Sequence, residues 1–358
     1  MWRSLICLFA LTVVIHVRHD EARPKRTTEA AAIAAMEAEL ARVTAADAFS
    51  GTVIIAKHGV PIFAKAYNRA DRERDIANTM DTSFSVGSIN KMFTAVTTMR
   101  LVQDGKLALT DTVGTWIPNY PNREIADHVT IHHLLTHTGG TGNIFEEDYD
   151  EYRLKLRTHD DYVKHFGDRA PIHAPGARWE YSNYGFVLLG AIIERVTGKS
   201  YYDAVAEYVY APAGMTATSS PRHDERVGAI GYTRMAGDLR TNDFILPYRG
   251  TSAGGGWSTT HDLLAFANAL TSNKLLDATH TKLVTTGKVR TRHGFKYAYG
   301  FAEINIDGVR CVGHNGGFPG VNGELLICEN GYTISILANF DPPAASLIAR
   351  FIATRLPN

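Results

Sequence analysis

The sequence has no excess of charge of either sign, because 37 Lys and Arg residues balance 37 Asp and Glu residues among 358. Without a basic surplus there is no long-range field that would attract nucleic acid or an anionic membrane. The sequence also lacks basic runs interleaved with aromatic residues. Both absences argue against nucleic-acid binding.

The N-terminal apolar run is too short to cross a bilayer, which takes about 20 residues. It extends from Leu5 to Val17 after the early charge of Arg3, and it has the length of the apolar part of a secretory signal. A charged stretch without a clean cleavage site follows. We therefore expect residues 1–26 to be a signal peptide or an uncleaved anchor of an exported, periplasmic or secreted protein, with membrane contact only if the segment is uncleaved.

Cysteine is scarce, with three residues in the chain. Cys7 lies in the N-terminal run, which leaves Cys311 and Cys328 on two successive predicted strands. One disulfide is geometrically allowed, but two thiols in so long a chain do not make a disulfide framework. The interpretation that we favour is a pair of unbonded, half-buried thiols.

β-Hairpin patterns occur near both ends of the chain. Apolar, β-rich runs flank His58-Gly59, Asp307-Gly308 and Asn330-Gly331, and Asp-Gly and Asn-Gly are strong hairpin signals. Helical patterns dominate residues 88–285, and there is no βαβ alternation. The sequence therefore predicts an α+β fold in which the N- and C-terminal segments (27–87 and 286–358) form one antiparallel sheet flanked by helices. Residues 88–285 would form a large, mainly helical insertion, with a cleft between the two lobes.

Ser88 and Lys91 are spaced so that their side chains share one face of a helix. A serine is a weak nucleophile until a neighbouring base takes its proton, and a lysine becomes such a base when burial lowers its pKa. A helix N-terminus at this point would add free N–H groups beside the hydroxyl. The S-x-x-K pattern alone is more typical of a capping serine and a lysine that faces solvent, because such tetrapeptides arise by chance in many chains.

Two further motifs favour the catalytic interpretation. Tyr181 and Asn183 form a Y-x-N arrangement just before a predicted helix, where the phenol can relay protons and the amide can orient a substrate and a lysine. His314 precedes Gly316 and Gly317 at the end of a predicted strand, whose backbone N–H groups can stabilise an oxyanion. Each motif has a plain alternative, a helix cap for the first and a turn for the second.

The three motifs, in this order, resemble the penicillin-recognising serine hydrolases, which include class C β-lactamases, D-alanyl-D-alanine carboxypeptidases and family VIII carboxylesterases. The stretches FSGTVIIAKHG, TIHHLLTHTGG and SAGGGWSTTHDLLAFANAL look like the family too, so the resemblance covers about residues 48–355. It implies a β-lactamase/transpeptidase-like fold that needs no cofactor and no metal.

The resemblance also implies roles for the site residues. Ser88 would be the acylated nucleophile, Lys91 its proton acceptor, and Tyr181 the relay to the leaving group and the deacylating water. Asn183 would position the substrate and hydrogen-bond near Lys91. The oxyanion hole would consist of the backbone N–H groups of Ser88 and Gly317.

The third motif departs from the Lys-Thr-Gly of many relatives, because His314 with Gly316 stands in its place. A lysine there binds the carboxylate of a β-lactam or peptide, whereas a histidine with an ordinary pKa of about 6.5 is mostly neutral. This difference favours neutral esters. A D-amino-acid peptidase or carboxypeptidase, or a β-lactamase, with the same residues is the alternative, followed by a penicillin-binding module that acylates without turnover.

Three other features carry competing interpretations. Gly250, Ser252 and Gly254 match the G-x-S-x-G of an α/β-hydrolase, which Asp262 or Asp307 and His314 could complete as a triad. Pro247 and the absence of βαβ units argue against that fold, so these glycines are expected to form a cleft wall.

His132, His133 and His137 look like metal ligands, with His133 and His137 at i and i+4 of one helix, but no acidic partner sits between them. We expect hydrogen bonds within the helical turn rather than a metal site. The acidic segment 143–152 reads as a mobile loop, and its aromatic residues receive no role. Substrate selectivity is expected to lie in loops such as 141–160 and 220–250.

Overall fold

The structure is a computed structural model that describes residues 26–358 except Val227 and Ala236. The predicted signal or anchor segment therefore lies outside the described residues, apart from Arg26. Within the described part of the chain, no helix is both long enough and apolar enough to cross a membrane.

The strands lie mostly at the two ends of the chain. They are β1 (Gly51–Lys57), β2 (Val60–Tyr67), β3 (Arg69–Asp71), β4 (Ile76–Ala77), β5 (Phe84–Gly87), β6 (Tyr232–Thr233), β7 (Arg240–Thr241), β8 (Gly256–Ser258), β9 (Val289–Arg290), β10 (Lys296–Tyr297), β11 (Ala302–Ile306), β12 (Val309–Phe318), β13 (Val321–Cys328) and β14 (Tyr332–Ala338). Eight of them form one antiparallel sheet in the order β2-β1-β14-β13-β12-β11-β10-β9. The predicted sheet built from both chain ends is confirmed.

Helices fill the middle of the sequence and flank the sheet. They are α1 (Glu29–Ala45), α2 (Asn90–Gln103), α3 (Val113–Trp116), α4 (Arg123–His128), α5 (Ile131–Leu135), α6 (Tyr149–Tyr152), α7 (His159–Phe166), α8 (Asn183–Thr197), α9 (Tyr201–Val205), α10 (Ala211–Ala213), α11 (Thr260–Thr271), α12 (Ala278–Thr285) and α13 (Ala344–Ala353). A π-helical turn, Ala206–Tyr210, joins α9 to α10. The α+β class predicted from the sequence is confirmed.

The hairpin turns form where the turn residues predict them. His58 and Gly59 join β1 to β2 with φ values of 48° and 81°, and Asp307 and Gly308 join β11 to β12 with φ values of 48° and 92°. A type I′ turn requires positive φ at both central residues, which Gly adopts without strain and Asp tolerates. Turn chemistry thus sets how β1 pairs with β2 and how β11 pairs with β12.

The two faces of the sheet belong to different cores. Leu326, Ile334 and Ile336 pack with α1 and α13, while Leu325 and Leu337 pack with the helical lobe. Side chains alternate along each strand, so adjacent residues reach opposite cores. This alternation decides which residues of β12 can approach the cleft between the lobes.

Cys311 and Cys328 form a disulfide, which corrects the expectation of two free thiols. The two residues face each other across β12 and β13, with 4.0 Å between their Cα atoms. The hairpin register places both side chains on the α1/α13 side, where they are buried. The sequence indicated the adjacent strands but not this facing register.

Glu324 is a carboxyl group buried between β13 and α13, where Ser346 Oγ donates a hydrogen bond of 2.6 Å to it. Burial raises its pKa from 4.5 to about 7, partly offset by that hydrogen bond. The folded state therefore holds a proton that the unfolded state releases, so this group's contribution to stability is lost as pH rises from about 4.5 to 7.

Glu324→Gln should remove that pH dependence, since the amide oxygen can still accept from Ser346 and does not titrate. At about 1.4 kcal/mol per pKa unit, the variant should gain about 3 kcal/mol of unfolding free energy relative to the wild type between pH 4.5 and pH 8. Urea unfolding at several pH values measures the difference. A difference that stays constant with pH would contradict the raised pKa.

Candidate active site

Ser88 lies in the turn between β5 and α2, half-buried at the floor of a cleft between the lobes. The helix begins at Asn90, two residues later than the serine, and the Lys91 N–H donates to the Ser88 carbonyl at 3.0 Å. This tight first turn still places Lys91 Nζ 3.2 Å from Ser88 Oγ. The predicted juxtaposition of the hydroxyl and the amine is present in the structure.

Lys91 is completely buried, which excludes the alternative of a lysine that faces solvent. Its Nζ donates to Asn183 Oδ1 at 2.7 Å and to the Ala253 carbonyl at 2.5 Å. Burial lowers the pKa of Lys91 well below its usual range. A neutral amine has two N–H donors and one lone pair; with both donors used, the lone pair is left for the Ser88 hydroxyl proton.

Tyr181 approaches the serine from the other side, and its phenol donates to Ser88 Oγ at 2.9 Å. Burial raises the pKa of Tyr181 despite the hydrogen bond to Ser88, so the phenol stays protonated. The Lys91 amine lies 4.7 Å from the centre of the tyrosine ring. A protonated phenol bonded to the serine is suited to pass protons rather than to hold a negative charge.

Asn183 is the first residue of α8 and is oriented by a partner that sequence reasoning missed. Its Nδ2 donates to Asn143 Oδ1 at 2.9 Å, which leaves Oδ1 to accept from Lys91. Ser182 caps the helix by accepting from the Gly185 N–H at 2.9 Å. Asn143 lies in a loop without a regular pattern, and no sequence signal connects it with Asn183.

Gly87, Gly316 and Gly317 allow β12 to pass directly beside the serine. A Cβ atom at Gly316 would lie 2.0 Å from the Val86 carbonyl oxygen, and one at Gly87 would lie 3.1 Å from the Gly317 nitrogen. Gly87 also has a φ of 52°. The close approach brings the β12 backbone to the predicted oxyanion position, and the role of the Ser88 and Gly317 N–H groups stays a prediction.

His314 occupies a different place from that expected of a substrate-binding residue. It is 2% exposed, Tyr297 OH lies 3.0 Å from its Nε2, and the Asn315 carbonyl lies 2.6 Å from its Nδ1. Burial, and then the charge of Lys91, lowers its pKa to about 3, so the ring is neutral. With both nitrogens bonded within the protein, His314 offers no charge and no free N–H to a substrate carboxylate.

The cleft over Ser88 is lined by apolar and aromatic side chains from three parts of the chain. These are Ile144, Phe145, Tyr149, Tyr162, Leu246, Pro247, Phe318 and Val321. No charged side chain is among its lining residues in the described part of the chain. The loops 141–160 and 220–250, where selectivity was expected, both supply parts of this wall. The aromatic residues of 143–152 received no role from the sequence, and Tyr149 is buried in the helix α6.

The predicted alternative triad around Ser252 is not assembled. Ser252 is completely buried and its hydroxyl donates to the Phe186 carbonyl at 2.8 Å. Asp262 accepts from the Ala217 N–H and the Thr218 hydroxyl instead of orienting a histidine. His314 is bonded to Tyr297, as described above. Gly254 and Gly255 do line the cleft, as expected of a cleft wall.

The three histidines of the sequence motif have separate partners. His132 Nδ1 lies 2.8 Å from Tyr299 OH, and His133 Nδ1 accepts from the Thr130 N–H at 3.3 Å. His137 lies beyond the end of α5, not on it as expected, and its Nδ1 accepts from the Ser182 N–H at 3.1 Å. Within residues 26–358 as described, no three metal-ligating side chains converge.

Comparison with known proteins adds an independent line of evidence. A protein-family model described as Beta-lactamase matches residues 31–356. The putative penicillin-binding protein PbpX of Bacillus subtilis (strain 168) is 30% identical over 294 residues, 81% of this chain and 70% of that protein. Esterase EstB of Burkholderia gladioli is 37% identical over 176 residues, 45% of this chain and 44% of the esterase.

A solved structure has the same fold over nearly its full length. The crystal structure of a penicillin binding protein from Bacillus halodurans superposes with a TM-score of 0.79 at 30% identity. The match covers 88% of this chain and 98% of that protein.

Proposed function

The chain belongs to the beta-lactamase family and is a serine hydrolase, and on that premise we propose that it cleaves small neutral carboxylic esters through an acyl-enzyme on Ser88. The observation that carries the proposal is the hydrogen-bonded set of Tyr181, Ser88 and Lys91 at the floor of a cleft without charged lining residues.

Acylation follows from the hydrogen bonds of the free enzyme. Ser88 Oγ attacks the ester carbonyl carbon while its proton moves to the Lys91 amine. The developing oxyanion receives hydrogen bonds from the backbone N–H groups of Ser88 and Gly317. As the bond from the carbonyl carbon to the leaving oxygen breaks, Tyr181 donates its proton to that oxygen and regains one from Lys91.

Deacylation is the same sequence in reverse, with water in the position of the departed alcohol. Water attacks the acyl carbon and gives its proton to Tyr181, which passes its own to Lys91. The bond between the acyl carbon and Ser88 Oγ then breaks, and the serine recovers its proton from Lys91. The acid is released and the three side chains return to their starting protonation states.

The substrate class follows from the lining of the cleft. A substrate carboxylate buried there would lose its hydration without gaining a cationic partner, and burying an unpaired charge is costly. Phe145 and Phe318 face each other with ring centroids 5.4 Å apart, and they offer an apolar surface to an acyl chain. The name of the EstB relative supports esters, and that of PbpX supports the alternative of a penicillin substrate.

The proposal predicts a clear order of substrates for the purified protein. The kcat/KM for p-nitrophenyl butyrate should exceed that for a chromogenic cephalosporin and for a D-Ala-D-Ala peptide by about 100-fold or more, since both of these carry carboxylates. Steady-state kinetics at pH 7.5 measures all three. Comparable or faster cleavage of the cephalosporin would contradict the ester assignment.

A charge placed in the cleft tests the reason for that order. Leu246→Lys adds a cation to the cleft wall, and Leu246→Gln is the matched control of similar length without charge. The lysine variant should gain about 10-fold on the cephalosporin relative to the ester, and the glutamine variant should leave the ratio unchanged. Equal changes in both variants would show that charge does not set the preference.

A further inference from the structure

The G-x-S-x-G segment, residues 250–254, does not form the alternative nucleophile site, but it makes a continuous set of contacts with the helix that carries Lys91. Three successive carbonyls, those of residues 251–253, accept hydrogen bonds from three side chains of α2. Asn90 Nδ2 donates to residue 251 at 2.9 Å, Thr94 Oγ1 to residue 252 at 2.7 Å, and Lys91 Nζ to residue 253 at 2.5 Å. The position of this segment therefore determines where the Ala253 carbonyl, which accepts a hydrogen bond from Lys91, lies.

The opposite side of the segment is held by a buried histidine and a glutamate. His159 Nε2 lies 3.0 Å from Ser252 Oγ and 3.3 Å from the Ser252 nitrogen. On the other side of the ring, Nδ1 lies 3.1 Å from Glu194 Oε1. Burial alone would raise the pKa of Glu194. The hydrogen bonds from His159 and from the Tyr201 N–H outweigh that effect and lower the pKa below its usual value, so the carboxylate is ionised. His159 Nδ1 is accordingly the protonated nitrogen that donates to Glu194.

The space for this contact is provided by a glycine of α8. A Cβ atom at Gly190 would lie 2.2 Å from Ser252 Oγ and 2.5 Å from the His159 ring. The same helix begins with Asn183, the second acceptor for Lys91, and carries Glu194 near its end. One rigid helix thus holds both acceptors of the lysine amine, Asn183 directly and Ala253 through the chain of Glu194, His159 and Ser252.

We propose that His159 and Glu194 are positioning residues for the general base. Through Ser252 they hold the Ala253 carbonyl against Lys91 Nζ and keep the amine in a closed, water-free position. The proposal rests on the proposed role of Lys91 as the base of a serine hydrolase. Ser252, His159 and Glu194 resemble a catalytic triad, but in this proposal they position Lys91, and Ser252 forms no covalent bond with the substrate.

The surroundings of the two groups define what else could affect the pH dependence. Lys91 faces Tyr181, His137 from the end of α5 and His314 from β12, and the low pKa values of the two histidines keep both neutral.

His159 faces Glu194 of α8 and the rings of Tyr201 and Tyr202, which lie 5.1 Å and 6.1 Å away. The Arg249 guanidinium lies over the Tyr202 ring, 3.3 Å from its centre. Burial raises the pKa values of both Tyr202 and Tyr201. For Tyr202 this effect outweighs the opposing charge of Arg249.

The test is the pH dependence of kcat/KM for p-nitrophenyl butyrate in His159→Phe, which keeps an aromatic ring but no hydrogen bond. If the Ala253 carbonyl is released, water reaches Lys91 and its protonated form gains stability. The acid limb should then move up by about one pH unit, so activity should be about 10-fold lower at pH values on the acid side of both limbs and within about threefold of wild type on the alkaline plateau. Ser252→Ala, which removes one oxygen, should move the limb in the same direction and serves if His159→Phe does not fold.

Glu194→Gln retains an acceptor for His159 Nδ1, so as the conservative variant it should keep the acid limb close to its wild-type position. His128→Gln, an exposed histidine of α4, is the control for a histidine substitution and should change neither the limb nor the plateau. A uniform loss at every pH with an unmoved limb would overturn the positioning role. Mass spectrometric mapping of the acylated residue distinguishes failure of this inference from failure of the proposed function. An acyl group on Ser88 together with an unmoved limb rejects this inference alone. An acyl group on Ser252 rejects the proposed function as well.

Discussion

Ser88→Ala should lower kcat/KM for p-nitrophenyl butyrate by about 10³-fold or more, the largest loss expected of any single substitution in this chain. Removing Oγ removes the atom that forms the acyl bond, while Lys91 and Tyr181 lose one hydrogen-bond partner each. The oxyanion donors and the cleft remain, so substrate binding should survive. Steady-state kinetics on the folded variant gives the loss directly.

The control for this substitution is Ser272→Ala, at an exposed serine after α11, which should leave the rate within the error of the assay. Ser88→Ala should melt at about the temperature of the wild type, because the side chain is half-buried and small. A variant that keeps more than a tenth of the activity would show that Ser88 is not the nucleophile.

Lys91→Met should be the second most damaging substitution, with a fall in kcat/KM of about 10²- to 10⁴-fold. Methionine is an unbranched side chain one atom shorter than lysine and fills most of this completely buried position, but it has no basic nitrogen to receive the Ser88 proton. Because the neighbouring phenol stays protonated, Tyr181 cannot replace the lost base. Addition of small primary amines to the variant tests the assignment further, since an external base should restore part of the rate.

The same substitution has a predicted signature in stability. Burial lowers the folded-state pKa of Lys91 well below its ordinary value, so at a pH between the two values the unfolded chain binds a proton that the folded chain does not. This makes the wild type more stable as pH rises, by about 1.4 kcal/mol per unit, up to the ordinary lysine pKa near 10. The difference in unfolding free energy between Lys91→Met and wild type should therefore fall by that amount from pH 8 to pH 9. An unchanging difference would mean that the folded lysine is protonated.

The parts of the site that sequence reasoning placed correctly are those set by local geometry. The distance between Ser88 and Lys91 depends on one turn of helix, and the start of α8 at Asn183 depends on a serine cap. The hairpin turns are equally local, since they depend on the preference of Gly and Asp for positive φ. Each of these features depends on residues that are close together in the sequence.

The features that sequence reasoning missed depend on contacts between distant residues. His159 and Ser252 are 93 positions apart, and nothing in either neighbourhood connects them. Selectivity was expected in the loop 141–160, but the aromatic wall that Phe145 and Tyr149 form there depends on how this segment packs against β12. The buried position of His314 follows from the parity of β12, since His314 shares the face of Val312 toward the helical lobe. If β12 were paired one residue earlier or later, its alternating side chains would change faces and His314 would point to the opposite side of the sheet.

His314 also shows how a correct inference can rest on an incomplete reason. We expected weak binding of carboxylates because a histidine is mostly neutral at neutral pH. The structure adds that the two ring nitrogens are hydrogen-bonded to Tyr297 and to the Asn315 carbonyl, and that His314 is not among the residues that line the cleft. The lack of charge is therefore a property of the buried network and would persist at acidic pH.

The covalent intermediate is the most direct test of the proposed mechanism. The wild-type protein is mixed with excess p-nitrophenyl butyrate, quenched in acid within milliseconds to seconds, and digested for peptide mapping by mass spectrometry. The mechanism predicts a butyryl group on the peptide that contains Ser88, absent from Ser88→Ala and retained in Ser252→Ala. A butyryl group on Ser252, or turnover without any acylated serine, would contradict it.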